Sequence, residues 1–128
     1  LQVIPATGSR MARTLGLKYT DALMYEPGPN LRVGAAYLRG LRKRFAAALP
    51  LAVAGYNAGP GAPDAWIEDR PGWDLDLWVE RIPYLETRNY VKRVWASYFA
   101  YEVLYGSGAL QEIVGAAAKV PTSKPSKR

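Results

Sequence analysis

Apolar residues recur along the chain at three- and four-residue steps, and no stretch alternates as a half-buried strand does. Proline and glycine separate the periodic segments, so the pattern predicts an all-α protein. Residues 6–15 read as a short helix with Gly16 in the position of a left-handed cap. One further turn is expected at 21–25, closed by the Glu-Pro-Gly-Pro stretch from Glu26 to Pro29. Asn30 is then a natural N-cap for a helix whose apolar face carries Leu31, Gly34, Ala35, Leu38, Leu41 and Phe45.

Pro50 suits the first position of a helix that is apolar all round, which belongs inside a bundle. Gly59-Pro60-Gly61 ends it. Pro63 opens a short helix to Glu68, Pro71-Gly72 turns the chain, and Asp74 or Asp76 caps a segment at 77–81. The longest pattern places Thr87, Val91, Val94, Tyr98, Tyr101 and Tyr105 on one stripe before Gly106, with most of its aromatic rings expected in the core. A weaker helix is expected at 110–118, followed by a solvated basic tail. The organisation expected is a helical domain over 1–106, an additional helix within 107–118 and a disordered tail over 119–128.

Composition narrows the chemistry. The 128 residues contain no cysteine and no histidine, which excludes a histidine-based triad, a thiolate nucleophile, an iron–sulfur ligand set and the usual zinc site. Acid–base work falls to Asp, Glu, Tyr or Lys. The net charge of +6 suggests an anionic partner, but four of the 17 basic residues (Lys119, Lys124, Lys127 and Arg128) lie in the tail without an acid among them. Residues 1–118 hold 13 basic and 11 acidic residues, which argues against a nucleic-acid binder. The tail either touches an anionic polymer or keeps the chain soluble. The basic side of the third helix (Arg32, Arg39, Arg42, Lys43 and Arg44) is either simply solvated or meets an acidic partner. No run of 18 apolar residues suggests a membrane span. Leu1 opens into an apolar stretch without the basic flank of a signal peptide, so the chain reads as the interior of a longer protein.

Two segments are polar where a bundle does not require it. In Gly55-Tyr56-Asn57-Ala58-Gly59-Pro60-Gly61, small residues flank a phenol and an amide, which either face a ligand or simply cap the helix. In Ile82-Pro83-Tyr84-Leu85-Glu86-Thr87-Arg88-Asn89-Tyr90-Val91, Glu86 starts the long helix with Tyr90 one turn further on. A first-turn carboxylate is favoured there by the helix dipole alone, and pairing of Glu86 with Arg88 or with a neighbouring helix is a second possibility.

Taken in order, L-Q-V-I-P-A-T, E-P-G-P-N-L-R-V-G-A-A-Y-L, G-Y-N-A-G-P-G and I-P-Y-L-E-T-R-N-Y-V resemble the catalytic domain of soluble lytic transglycosylases, the goose-lysozyme-like glycoside hydrolase family 23. The resemblance covers about residues 1–106. It implies a lysozyme-like, goose-type helical fold lacking its first helix or helices. It also implies cleavage of the β-1,4 bond between N-acetylmuramic acid and N-acetylglucosamine in peptidoglycan, ending in a 1,6-anhydro sugar. The partners implied are peptidoglycan glycan strands and other cell-envelope proteins, in the periplasm or cell envelope, with no cofactor and no metal.

The family's acid/base glutamate belongs to a Glu-Ser motif that precedes the glutamine motif, and it is expected to lie upstream of Leu1. No catalytic residue is therefore assigned within the chain. The resemblance carries substrate-binding roles onto Gln2, Ile4 (where methionine is more frequent), Tyr56, Asn57, Ala58, Glu86 and Tyr90, and places Gly55 where alanine is usual. Two readings follow: the C-terminal portion of a lytic transglycosylase domain, inactive alone, or a glycan-binding or scaffolding fragment that keeps the cleft without the acid.

Overall fold

The computed structural model of the chain describes residues 2–46, 48–106 and 119–125. Among them are seven α-helices, and the only sheet-like pairing is an isolated bridge between Asp74 and Lys119. The described chain forms two compact units, Leu1–Gly40 and Leu41–Arg128.

In the first unit, α1 (Pro5–Thr14) starts on a proline whose fixed φ suits the first turn. Gly16, with φ +67°, ends the run as the glycine pattern predicts. Gly8 has to be small, because a Cβ there would sit 2.9 Å from the Tyr19 ring. Thr20 caps α2 (Asp21–Tyr25) by accepting a hydrogen bond from the Leu23 amide at 3.1 Å.

α3 (Pro27–Arg44) departs from the expectation in two ways. It begins at Pro27 instead of at an Asn30 cap, since prolines at 27 and 29 fall in a first turn whose amides have no helical partner to lose. Asn30 lies inside the helix and donates from Nδ2 to the Met24 carbonyl at 2.7 Å. The buried face is also rotated. Burial follows Val33, Gly34, Leu41 and Phe45, whereas Leu31 is 59% exposed and Ala35 faces solvent.

The second unit is built around α4 (Leu49–Ala58), in which every residue from Pro50 to Gly55 is buried. α4 packs against α5 (Gly61–Asp69) and α7 (Leu85–Tyr105), and α6 (Leu75–Glu80) packs on α7. Gly55 is the tight point of this core. A Cβ there would lie 3.1 Å from Phe45 Cε2 and 3.4 Å from Leu41 Cδ2. Trp66 of α5 stacks tilted against Trp78 of α6 at 6.1 Å and meets Tyr84, the residue before α7, edge-on at 5.2 Å. Arg44, at the end of α3, reaches Asp64 of α5 at 2.6 Å, a half-buried pair that fixes where the chain enters this unit.

The aromatic stripe of α7 is buried only at its start. Thr87 and Val91 are buried, but Tyr101 and Tyr105 are 66% and 79% exposed, contrary to the expectation that they join the core. The reason is length: α7 has 21 residues and runs about 30 Å, while the ten-residue α4 covers about 15 Å. The helix expected at 110–118 lies outside the described residues.

Within residues 119–125, expected from their composition to be solvated, Lys119 and 122–124 are exposed but one residue is buried. Val120 is 2% exposed and its amide donates to the Trp73 carbonyl at 2.8 Å. Lys124 Nζ sits 2.5 Å from Glu68 Oε1, and this hydrogen-bonded carboxylate holds the ammonium above the ordinary lysine range. One apolar side chain and an extended backbone suffice to dock the segment on the turn before α6. The exposed ion pairs add little to that burial.

Two consequences can be measured by thermal or denaturant unfolding. Gly55→Val is expected to destabilise the second unit by about 1–3 kcal/mol through overpacking against Phe45 and Leu41, whereas Gly55→Ala is expected to be nearly neutral. Val120→Ala is expected to cost about 1–2 kcal/mol. An unchanged transition for Val120→Ala would show that the docked segment adds nothing to the fold.

Candidate functional site

α4 ends at Ala58 because Gly59, at φ +80°, turns the chain, and α5 starts two residues later. This abrupt stop leaves Tyr56, Asn57 and Ala58 half-buried at a corner. A plain capping role for Asn57 is not what the structure shows. Its Oδ1 accepts a hydrogen bond from the Thr87 hydroxyl at 2.6 Å, linking the last turn of α4 to the first turn of α7. Thr87 is only 3% exposed, so this bond is formed largely out of water.

With the oxygen committed to Thr87, the Asn57 amide has one orientation, and its Nδ2 donates to no described group. The result is a held donor at the edge of the corner. Thr87 itself was not among the residues singled out as candidates from the sequence, where it read as part of the buried stripe. The signal available there was a hydroxyl on an otherwise apolar face, which requires a polar partner when buried.

Arg88 does not pair with Glu86. Its Nε and Nη2 both donate to the Ile82 carbonyl, at 2.9 and 2.7 Å, and so clamp the segment leading into α7. Glu86 is exposed on the first turn of α7 and has no ion-pair partner among the described residues. Tyr90, one turn further on, is half-buried and lines an open depression of about 390 Å³ with Arg93, Val94, Ser97 and Tyr98.

The structure thus joins the Tyr56-Asn57-Ala58 corner to the turn of α7 that carries Glu86 and precedes Tyr90. Gln2 and Ile4 belong to the first unit. There Gln2 is exposed with φ +47°, a conformation unusual for a residue with a Cβ, and Ile4, 66% exposed, precedes α1 as its N-cap. Among the described residues no helix is long and apolar enough to cross a membrane.

A family model described as the Transglycosylase SLT domain matches residues 1–77. The chain is 35% identical over 104 residues to the soluble lytic murein transglycosylase of Salmonella typhimurium, covering 79% of this chain and 16% of that protein. It is 31% identical over 106 residues to the soluble lytic murein transglycosylase of Escherichia coli K12, with the same two coverages. The chain therefore spans about a sixth of the length of these relatives. A crystal structure of an inactive Glu-to-Gln mutant of lytic transglycosylase Slt from Pseudomonas aeruginosa superposes with a TM-score of 0.76 at 36% identity, covering 82% of this chain and 17% of that one. With its helical fold, its ordered motifs and its matching relatives, the chain belongs to the SLT transglycosylase family.

Proposed function

We propose that the chain forms the glycan-holding part of a peptidoglycan lytic transglycosylase domain and that the acid which cleaves the strand is not among its own residues. The observation that carries this reading is the Asn57–Thr87 hydrogen bond, which fixes an amide donor at a corner flanked by Tyr56 and Ala58. A held N–H donor beside small residues suits the carbonyl of an N-acetyl group. Such groups recur on every sugar of a murein strand. By resemblance to the family, Glu86 and Tyr90 of the second unit are read as further glycan contacts, and so, in the first unit by itself, are Gln2 and Ile4.

The reaction in this reading is a non-hydrolytic cleavage of the β-1,4 bond between N-acetylmuramic acid and N-acetylglucosamine. A glutamic acid gives its proton to the leaving glycosidic oxygen. The resulting carboxylate takes the proton from the muramoyl 6-hydroxyl as that oxygen bonds to the anomeric carbon, closing the 1,6-anhydro ring. The substrate's own N-acetyl group stabilises the cationic sugar, so no second carboxylate nucleophile is needed. The Pseudomonas aeruginosa relative is described as inactive when a glutamate is replaced by glutamine. The eleven acids of this chain include none in a Glu-Ser motif, and Glu86 fits a supporting place in the cleft. A murein substrate places the protein in the periplasm or cell envelope.

Incubation with purified murein sacculi tests the assignment. The chain is expected to sediment with sacculi while releasing no anhydromuropeptides detectable by mass spectrometry, and to support their release when a segment carrying the Glu-Ser helix is supplied. Failure to sediment, or release of reducing-end products, would contradict it. Thr87→Val leaves Asn57 Oδ1 without its donor and is expected to cost about 1–2 kcal/mol of stability. It is also expected to weaken binding of tetra-N-acetylchitotetraose about fivefold, the worth of one misplaced hydrogen bond, as read by calorimetry.

A further inference from the structure

Helix α3 carries Arg32, Arg39, Arg42, Lys43 and Arg44 and no acid. Arg44 is committed to Asp64. The other four are exposed, and their side chains have no ion-pair partner among the described residues. Within this continuous helix, steps of three and four residues set Arg32, Ala35, Arg39, Arg42 and Lys43 on one side, over a length of about 16 Å. The opposite side carries Val33, Gly34 and Leu41, which are buried.

Two features of this row go beyond ordinary solvation. Arg39 stands one turn from both Arg42 and Lys43, a like-charge arrangement that weakens a helix in isolation and that an anionic surface relieves. Leu31 and Leu38, seven residues apart, border the row on its Arg42 side. Leu31 is 59% exposed and Leu38 is half-buried, so aliphatic carbon lies directly beside the uncommitted cations. Ala35, in the middle of the row, leaves the helix surface low between the long basic side chains.

We propose that this side of α3 rests on an anionic phospholipid bilayer, with its four cations against lipid phosphates and Leu31 at the level where headgroups give way to acyl chains. Three of the four cations are arginines, whose planar fork takes phosphate oxygens in pairs. Each cation held close to an anionic leaflet adds to the attraction. Lipids diffuse to meet side chains spread along a convex helix, whereas a folded acidic protein must already carry carboxylates at that spacing. A dissolved polyanion leaves Leu31 in water; a bilayer takes it up. The contact is peripheral, because no described helix is long and apolar enough to cross a membrane. The row shares no residue with the Tyr56-Asn57-Ala58 corner, so the two assignments stand or fall separately.

Flotation of the full chain with unilamellar vesicles tests this, using phosphatidylcholine alone or mixed in equal parts with phosphatidylglycerol. The chain is expected to float with the mixed vesicles at low salt, to stay behind with phosphatidylcholine alone, and to be released as salt is raised. Arg32→Gln and Arg39→Gln together are expected to weaken partitioning about 25-fold, about fivefold for each charge. Removing two exposed charges elsewhere in the first unit, by Arg13→Gln with Lys18→Gln, is expected to change it by less than about twofold if position and not net charge decides. Leu31→Ser is expected to weaken it about threefold at every salt concentration, because that contact is apolar. Absence of phosphatidylglycerol-dependent flotation, or an equal loss in the two double variants, would overturn the proposal. So would binding of poly-L-glutamate that depends on Arg32 and Arg39 without binding to vesicles, which would assign the row to an acidic polypeptide.

Discussion

A single hydrogen bond, from the Thr87 hydroxyl to the Asn57 side-chain oxygen, ties the last turn of α4 to the first turn of α7 and fixes the corner between them. It closes between two helix ends that are thirty residues apart in sequence, in a place where water competes poorly for either group. Because it uses the oxygen of the amide, it leaves the nitrogen as a donor of fixed direction. A surface asparagine gives a ligand the same atoms but must first be ordered, and that ordering costs entropy at each binding event. Here the fold has already ordered it.

The surrounding packing serves to keep that bond in register. Gly55, the residue before Tyr56, allows α4 to lie against Phe45 and Leu41, and a β-branched residue there would crowd both side chains. On the other side, Trp66, Trp78 and Tyr84 join α5, α6 and the entry to α7. Arg88 adds a two-pronged hold on the Ile82 carbonyl, so the segment before α7 has little freedom to shift. Helix α4 can be almost wholly apolar because it is enclosed, and it ends in polar residues only where it emerges.

Much of this was legible in the sequence because helix stops are written in residues with special backbones. Gly16, Gly59 and Gly106 mark ends that the structure keeps at those points, and Pro50 sits in the first turn of α4, one residue after its start at Leu49. The start of α3 was misplaced because Pro-Gly-Pro signals a turn and a helix entry equally well, and only the tertiary setting chooses. The docking of Val120 was hidden for a related reason: a segment poor in apolar residues has no periodicity, so a single buried valine leaves no pattern. At the site, Tyr56 and Asn57 were visible as polar residues in a small-residue frame. Thr87, the partner of Asn57, was not, because a hydroxyl thirty residues away carries no sign of which group it meets.

The most direct test of the account is the nuclear magnetic resonance signal of the Asn57 side-chain amide during titration with an N-acetylated glycan. If the amide is held by Thr87 and aimed at the ligand, its proton shifts in the free protein lie away from those of a solvent-exposed asparagine and move on addition of glycan. In Thr87→Val the same resonances return toward the shifts of a solvent-exposed asparagine. Asn57 amide protons that stay unmoved while residues elsewhere respond to the glycan would contradict the central claim.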